Sequence, residues 1–167
     1  MMVNMVIIKI IFITLCVIST ALAATESKQT KAGEDSHQIE FKNECIKAMC
    51  IADSGCVQTG CSIDIHGRQG CGYFRMNVWQ FKQCYQPGRE IGEDSEVAWV
   101  RCAEDYDCAS NCIKQVASRF RLKCYGKTPC ELLARLHDGG ANGCRTGTTL
   151  TYWSHVKEIC PNCHNYL

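Results

Sequence analysis

Cys50-Ile51-Ala52-Asp53-Ser54-Gly55-Cys56, followed by Cys61-Ser62-Ile63-Asp64-Ile65-His66-Gly67 and Cys71-Gly72-Tyr73-Phe74, is the stretch on which the reading of this chain turns. Two acids, Asp53 and Asp64, stand eleven positions apart inside a frame of closely spaced cysteines. Paired carboxylates held at a fixed separation are what general-acid and nucleophile chemistry on a glycosidic bond requires. The plainer account is local, because Asp-Ser-Gly is a common turn and an Asp at a strand end bonds nearby backbone amides.

The N-terminus sets the compartment. Residues 1–23 read as a secretory signal peptide: an apolar core over 7–17, interrupted by Lys9, precedes Ala21-Leu22-Ala23, a small-x-small cleavage pattern. The apolar run is too short and too early for a membrane anchor, and no later segment is apolar enough to span a bilayer. A secreted, extracellular protein without stable membrane insertion is expected.

Cysteine usage agrees with that compartment. Of 15 cysteines, Cys16 leaves with the signal and an even set of fourteen remains. Such density in a short exported chain implies a disulfide framework of up to seven bridges. Loss of Lys9 with the signal takes the formal charge from +1 to 0. A neutral chain exerts no long-range pull on nucleic acid or anionic membrane. With no exposed apolar stripe in the sequence, a monomer is expected.

Residues 24–40 form a polar arm with almost nothing to bury, and 41–163 form one domain without internal repeats. Helical spacing appears over 41–52, where Phe41, Cys45, Ala48, Met49 and Ala52 share a face, and over 107–122, where Cys108, Cys112, Val116 and Phe120 recur. Thr128-Pro129 opens a helix carrying Leu132, Leu133 and Leu136, which Gly139-Gly140 stops. A shorter helix covers 148–159, and the Gly- and Cys-rich segment 55–74 suits a small hairpin or meander. The expected class is a mainly helical, disulfide-rich α+β fold.

Cys160-Pro161-Asn162-Cys163-His164 fits the pattern of c-type haem attachment. It ends three residues from the C-terminus, with no following segment to wrap a haem. A terminal disulfide is the favoured account, and neither a metal nor another cofactor is expected.

Together these elements resemble the invertebrate-type lysozymes of the destabilase family. The resemblance is carried by Asp53-Ser54-Gly55-Cys56, Cys61-Ser62-Ile63-Asp64, Cys71-Gly72-Tyr73-Phe74, Pro87-Gly88, Cys102, Cys108 and Cys112, His137 through Cys144, and Tyr152-Trp153. It implies a lysozyme-like helical fold with a small antiparallel sheet. The implied activity is cleavage of the β-1,4 bond between N-acetylmuramic acid and N-acetylglucosamine in bacterial peptidoglycan, for antibacterial defence or digestion. It further implies the pairs Cys45 with Cys130, Cys50 with Cys56, Cys61 with Cys71, Cys84 with Cys112, Cys102 with Cys108, and Cys124 with Cys144. Ala48 stands where the family usually has another cysteine, which leaves Cys160 and Cys163 to close on each other.

By the same resemblance Asp53 corresponds to the general acid, a Glu in the family, and Asp64 to the second carboxylate. An acid in the first role needs a raised pKa while its partner stays ionised. Asp is one methylene shorter than Glu, and a misplacement of about 1 Å can cost on the order of 100-fold in rate. The alternative function is therefore a weakened or inactive lysozyme-like protein that binds glycan without cutting it. Some family members are also credited with isopeptidase activity that uses a Ser and a His. Gly70 or its neighbours in the loop Gly67-Arg68-Gln69-Gly70-Cys71 occupy the serine's place and offer no hydroxyl, so His137 is expected to order a loop or line the cleft. Tyr73, Phe74, Trp79 and Tyr152 could form a sugar platform, with Tyr73 and Asn77 favoured for substrate and Phe74 and Trp153 for the core.

Overall fold

The structure, a computed structural model, describes residues 39–163. The signal peptide, the arm up to residue 38 and His164 lie outside the described residues.

The first helix, α1 (Asn43–Ser54), buries Cys45, Ile46, Ala48, Met49 and Cys50. It stops at Gly55, whose φ of 68° is the left-handed conformation that glycine adopts without a Cβ penalty. The Gly55 and Cys56 amides bond back to the Ile51 and Cys50 carbonyls at 2.9 and 3.0 Å. The Cys50–Cys56 disulfide crosses the same turn. Asp53 therefore sits in the last turn of a helix that is closed covalently and by hydrogen bonds.

A two-stranded antiparallel hairpin follows: β1 (Cys61–Ile63) pairs with β2 (Gln69–Cys71) in the register Cys61 to Cys71 and Ile63 to Gln69. The Cys61–Cys71 disulfide joins its base, so the tip carrying Asp64 projects from an anchored pair of strands. Next comes a 3₁₀ turn, Gly72–Phe74. A Cβ on Gly72 would lie 1.8 Å from the Ala103 carbonyl oxygen, so only glycine lets the two backbones approach this closely.

Helices α2 (Val78–Gln83) and α3 (Ser95–Ala103) come next. Neither is anticipated by apolar periodicity. The first is only 6 residues long and is set by a capping box between Asn77 and Gln80. The second is set by Asp94, whose carboxylate accepts the Glu96 and Val97 amides. Helix α4 (Tyr106–Phe120) is capped by Asp105 and passes into a 3₁₀ turn, Arg121–Cys124. Helix α5 (Pro129–Gly139) has the Thr128 cap and first-turn proline that its sequence announces. A 3₁₀ turn, Gly140–Arg145, leads to α6 (Leu150–Ile159).

Helix α1 packs on α6, and α5 packs between α4 and α6. Met49, Phe74, Phe81, Ile113, Leu133, Leu136 and Val156 fill the centre. Truncating one of these, such as Leu133→Ala, should cost about 2–5 kcal/mol. Disulfides then tie the layers: Cys45–Cys130 joins α1 to α5, Cys84–Cys112 joins the end of α2 to α4, Cys102–Cys108 joins α3 to α4, and Cys124–Cys144 joins the two turns flanking α5. Cys160 and Cys163 are bonded to each other. The architecture is mainly helical with one small sheet, and α1, α5, α6 and the hairpin meet around a single cleft.

The turn after α5 is held by a charge inside the protein. Arg135, 5% exposed, is bonded to Glu131 at 3.0 Å, to the Thr149 hydroxyl at 3.0 Å and to the carbonyls of Gly143, Cys144 and Thr146. A buried guanidinium is tolerated because its donors find acceptors. The loop it clamps leads into α6, which brings Tyr152 to the cleft.

Candidate active site

The cleft is lined by Asp53 from α1, Asp64, Arg68, Gln69 and Gly70 from the hairpin, Arg75, Asn77 and Gln80 around the start of α2, His137 and Asp138 from the end of α5, and Tyr152 from α6. Two acids distant in structural context, one in a helix and one at a hairpin tip, thus face one space.

Asp53 is almost enclosed. Its Oδ2 accepts the Tyr152 hydroxyl at 3.0 Å and lies 3.2 Å from His137 Nε2. Its other oxygen, Oδ1, bonds to no described residue and is not among the enclosed polar atoms lacking partners, so it is open to the cleft that Asp53 lines. Burial disfavours the charged carboxylate and pushes the pKa up; the His137 charge and the hydrogen bonds from His137 and Tyr152 oppose this without reversing it. The Tyr152 phenol is raised well above its ordinary value by burial and by the nearby acid, so it remains a hydroxyl donor.

His137 is pulled both ways. Burial lowers its proton affinity, whereas the Asp53 charge and hydrogen bond raise it, with a net upward direction. That upward pull is largely the ionised carboxylate's own and weakens when Asp53 holds a proton. On the far side of the ring, Gln80 Nε2 lies 2.9 Å from Nδ1.

Asp64 occupies the opposite environment. Its Oδ1 accepts the backbone amides of His66 and Arg68, each at 2.8 Å, and its Oδ2 accepts Arg68 Nε at 2.7 Å. Led by the Arg68 backbone bond, these donors hold the carboxylate at a pKa of about 2. The Arg68 guanidinium also reaches across to Asp138, 3.6 Å from its carboxylate and 3.3 Å from its carbonyl. It ties the hairpin tip to the C-terminal end of α5.

The remaining residues singled out in the sequence fall into two groups. Asn77 and His137 line the cleft with the acids. The side-chain oxygen of Asn77 is spent capping Gln80, while its side-chain nitrogen Nδ2 bonds no described residue. Tyr73 is not part of the cleft lining; its ring packs edge-on against Tyr106 at 5.7 Å. Phe74 and Trp153 are core, and Trp79, 38% exposed, stacks on Phe120 at 6.0 Å. Tyr152 lines the cleft, but its hydroxyl is committed to Asp53.

No hydroxyl is available at Gly70, where a Cβ would come within 2.3 Å of the Arg75 carbonyl oxygen. Ser62 Oγ accepts Arg75 Nη1 at 2.6 Å. A serine paired with His137 is therefore not assembled at this loop. Among the described residues no group of three or more His, Cys, Asp or Glu side chains is placed to hold a metal ion.

Gln80 and Arg68 are among the cleft residues that sequence reasoning did not single out. The capping box that fixes Gln80 can be read from Asn77 and Gln80 alone. Its approach to His137, 57 positions away, has no sequence signal.

Comparison with known proteins converges on one family. The destabilase family model matches residues 42–160. Invertebrate-type lysozyme 2 of Caenorhabditis elegans is 40% identical over 119 residues, covering 70% of this chain and 85% of the relative. A lysozyme of Magallana gigas is 35% identical over 118 residues, covering 71% and 80%. Among solved structures, Tapes japonica lysozyme aligns with a TM-score of 0.62 at 33% identity, over 75% of this chain and 95% of that one. Meretrix lusoria lysozyme, in complex with Aeromonas hydrophila PliI, aligns with a TM-score of 0.63 at 32% identity, over 76% and 96%.

Proposed function

This chain belongs to the destabilase family of invertebrate-type lysozymes, and from that membership we propose that it hydrolyses the β-1,4 bond between N-acetylmuramic acid and N-acetylglucosamine of bacterial peptidoglycan, with Asp53 as general acid and Asp64 as the second carboxylate. The observation that carries the assignment is the split environment of the pair: Asp53 is enclosed and biased toward its protonated form, whereas Asp64 is held ionised at a pKa of about 2. Glycoside hydrolysis asks for that division of labour.

Asp53 gives its proton to the glycosidic oxygen as the C–O bond breaks, and the departing sugar leaves as an alcohol. Positive charge developing at the anomeric carbon is met by Asp64, either through a covalent bond or by charge alone. Water then adds at that carbon and returns a proton to Asp53. Asn77, through its side-chain Nδ2, and the wall around His137 are the substrate contacts that fit this pose; Tyr73, packed on Tyr106, is assigned none. The short side chain of Asp53 is compensated in part by its anchoring, because Tyr152 and His137 hold one oxygen and leave the other toward the cleft.

Seven disulfides suit work outside the cell, where the redox poise keeps them oxidised. Export through the N-terminal leader and a role against bacteria follow from this reading. The test is loss of turbidity of a bacterial cell-wall suspension by the oxidised protein beside its Asp64→Asn variant. Clearing by the parent and not by the variant is expected. Equal clearing by both would remove Asp64 from the mechanism, and none by either would overturn the hydrolase reading.

A further inference from the structure

Gln80 is 1% exposed, yet both polar atoms of its side-chain amide are engaged. Its Oε1 accepts the Asn77 backbone N–H at 2.9 Å, which identifies the oxygen end of the amide. The Nε2 end therefore faces His137, donating to the His137 carbonyl at 3.0 Å and lying 2.9 Å from ring Nδ1. An amide nitrogen is only a donor, so Nδ1 is the acceptor in that contact and carries no proton. A neutral imidazole with a bare Nδ1 holds its proton on Nε2, the nitrogen 3.2 Å from Asp53 Oδ2.

We propose that Gln80 is a positioning residue for the catalytic proton: by holding His137 in the Nε2–H form, it keeps Asp53 Oδ2 an acceptor and places the acid's proton on Oδ1, the oxygen open to the cleft. This inference rests on Asp53 being the proton donor. The Tyr152 hydroxyl approaches the same Oδ2 at 3.0 Å, so two donors converge on one oxygen and leave a proton no room there. The Phe74 carbonyl is the competing acceptor near the His137 ring and adds to its upward pull; against it stands Gln80 Nε2, a donor 2.9 Å from Nδ1.

The chain of contacts begins at a helix cap and ends at the reacting oxygen. The capping box between Asn77 and Gln80 fixes the amide, the amide fixes the imidazole, and the imidazole fixes the carboxyl. Other charges facing this set are Asp138 on α5, Asp64 and Arg68 on the hairpin, and Arg75 beyond the 3₁₀ turn. The two hairpin charges are paired with each other, and Arg68 also reaches Asp138. The tautomer is thus decided by Gln80.

Tautomer-resolved ¹⁵N NMR of the His137 ring in the oxidised full chain reads the lock without requiring turnover. With Asp53 in its protonated form, Nδ1 is expected to resonate as an unprotonated nitrogen and Nε2 as a protonated one; the reverse tautomer or an imidazolium in that state overturns the proposal. Gln80→Glu turns the donor into an acceptor, which draws a proton onto Nδ1 and makes His137 an imidazolium beside Asp53. The basic limb of the kcat/KM profile should then fall by about 1–2 pH units. An unmoved limb in a folded Gln80→Glu protein overturns the proposal. A parent with bare Nδ1 that cleaves no cell wall keeps the lock and removes the donor role from Asp53. An active parent with protonated Nδ1 does the opposite.

Discussion

Asp53 and Asp64 reach the same cleft from two kinds of structure, and the contrast explains how one protein gives two carboxyl groups different chemistry. Asp53 sits in the last turn of α1, enclosed by α5 and α6, where side chains 84 and 99 positions away touch one of its oxygens. Asp64 sits at a hairpin tip, where its donors lie within four positions of it in sequence. Tertiary packing makes the first acid reluctant to ionise, and local backbone makes the second reluctant to take a proton. The split does not depend on the acids' chemistry, since both are Asp.

The pH signs follow from this. Catalysis needs Asp64 ionised, which holds above about pH 2, and Asp53 protonated, which holds below its raised pKa. Activity should therefore peak on the acid side and decline as pH rises through the Asp53 value. For stability the two acids act in opposite directions. Asp53 binds its proton more tightly folded than unfolded, so its contribution is present below the ordinary carboxyl pKa and is lost as pH climbs through the raised value. Asp64 contributes above the ordinary pKa, and its share is lost as pH falls toward 2.

The largest expected effect that sharpens the contrast is loss of either carboxylate. Asp53→Asn should lower cell-wall clearing by about 10²–10⁴-fold. The same change should raise stability at neutral pH by about 0.5–2 kcal/mol, because a buried charge disappears while an amide oxygen can still accept from His137 and Tyr152. Thermal unfolding and turbidity on one preparation check both signs. A variant that loses activity and stability together would show Asp53 to be a structural anchor.

A smaller effect is expected from Tyr152→Phe, which removes one donor from Oδ2. The Asp53 pKa should rise further, moving the basic limb of the rate profile upward by less than about one pH unit. The smallest is expected from Arg68→Ala. The Arg68 side chain is exposed, and Asp64 keeps its two backbone amides, so the rate should change by less than about fivefold. A collapse in rate with Arg68→Ala would mean that the strap to Asp138, rather than the local amides, positions the hairpin tip.

The same contrast marks what could be read from the chain alone. Asp64 and the hairpin are local: cysteines at each strand and a Gly-rich turn announce them. Helices α4 and α5 are legible from their apolar spacing and caps, and α1 also, although it starts and ends two residues later than the 41–52 expected. Helices α2 and α3 are set by Asn77 and Asp94 at their caps rather than by an apolar stripe, so periodicity misses them. The surroundings of Asp53 are not legible, because His137, Tyr152 and Gln80 arrive from three separate helices. Tyr152, read as one candidate for a sugar platform, lines the cleft with its hydroxyl given to Asp53, and Tyr73 packs edge-on against Tyr106.

The division between the two acids is tested most directly by following each carboxyl carbon by NMR through a pH titration of the oxidised protein, with Asp53→Asn and Asp64→Asn to assign the signals. Asp64 should titrate near pH 2 and Asp53 above the ordinary aspartate range. Two ordinary titrations, or Asp53 ionising before Asp64, would contradict the account.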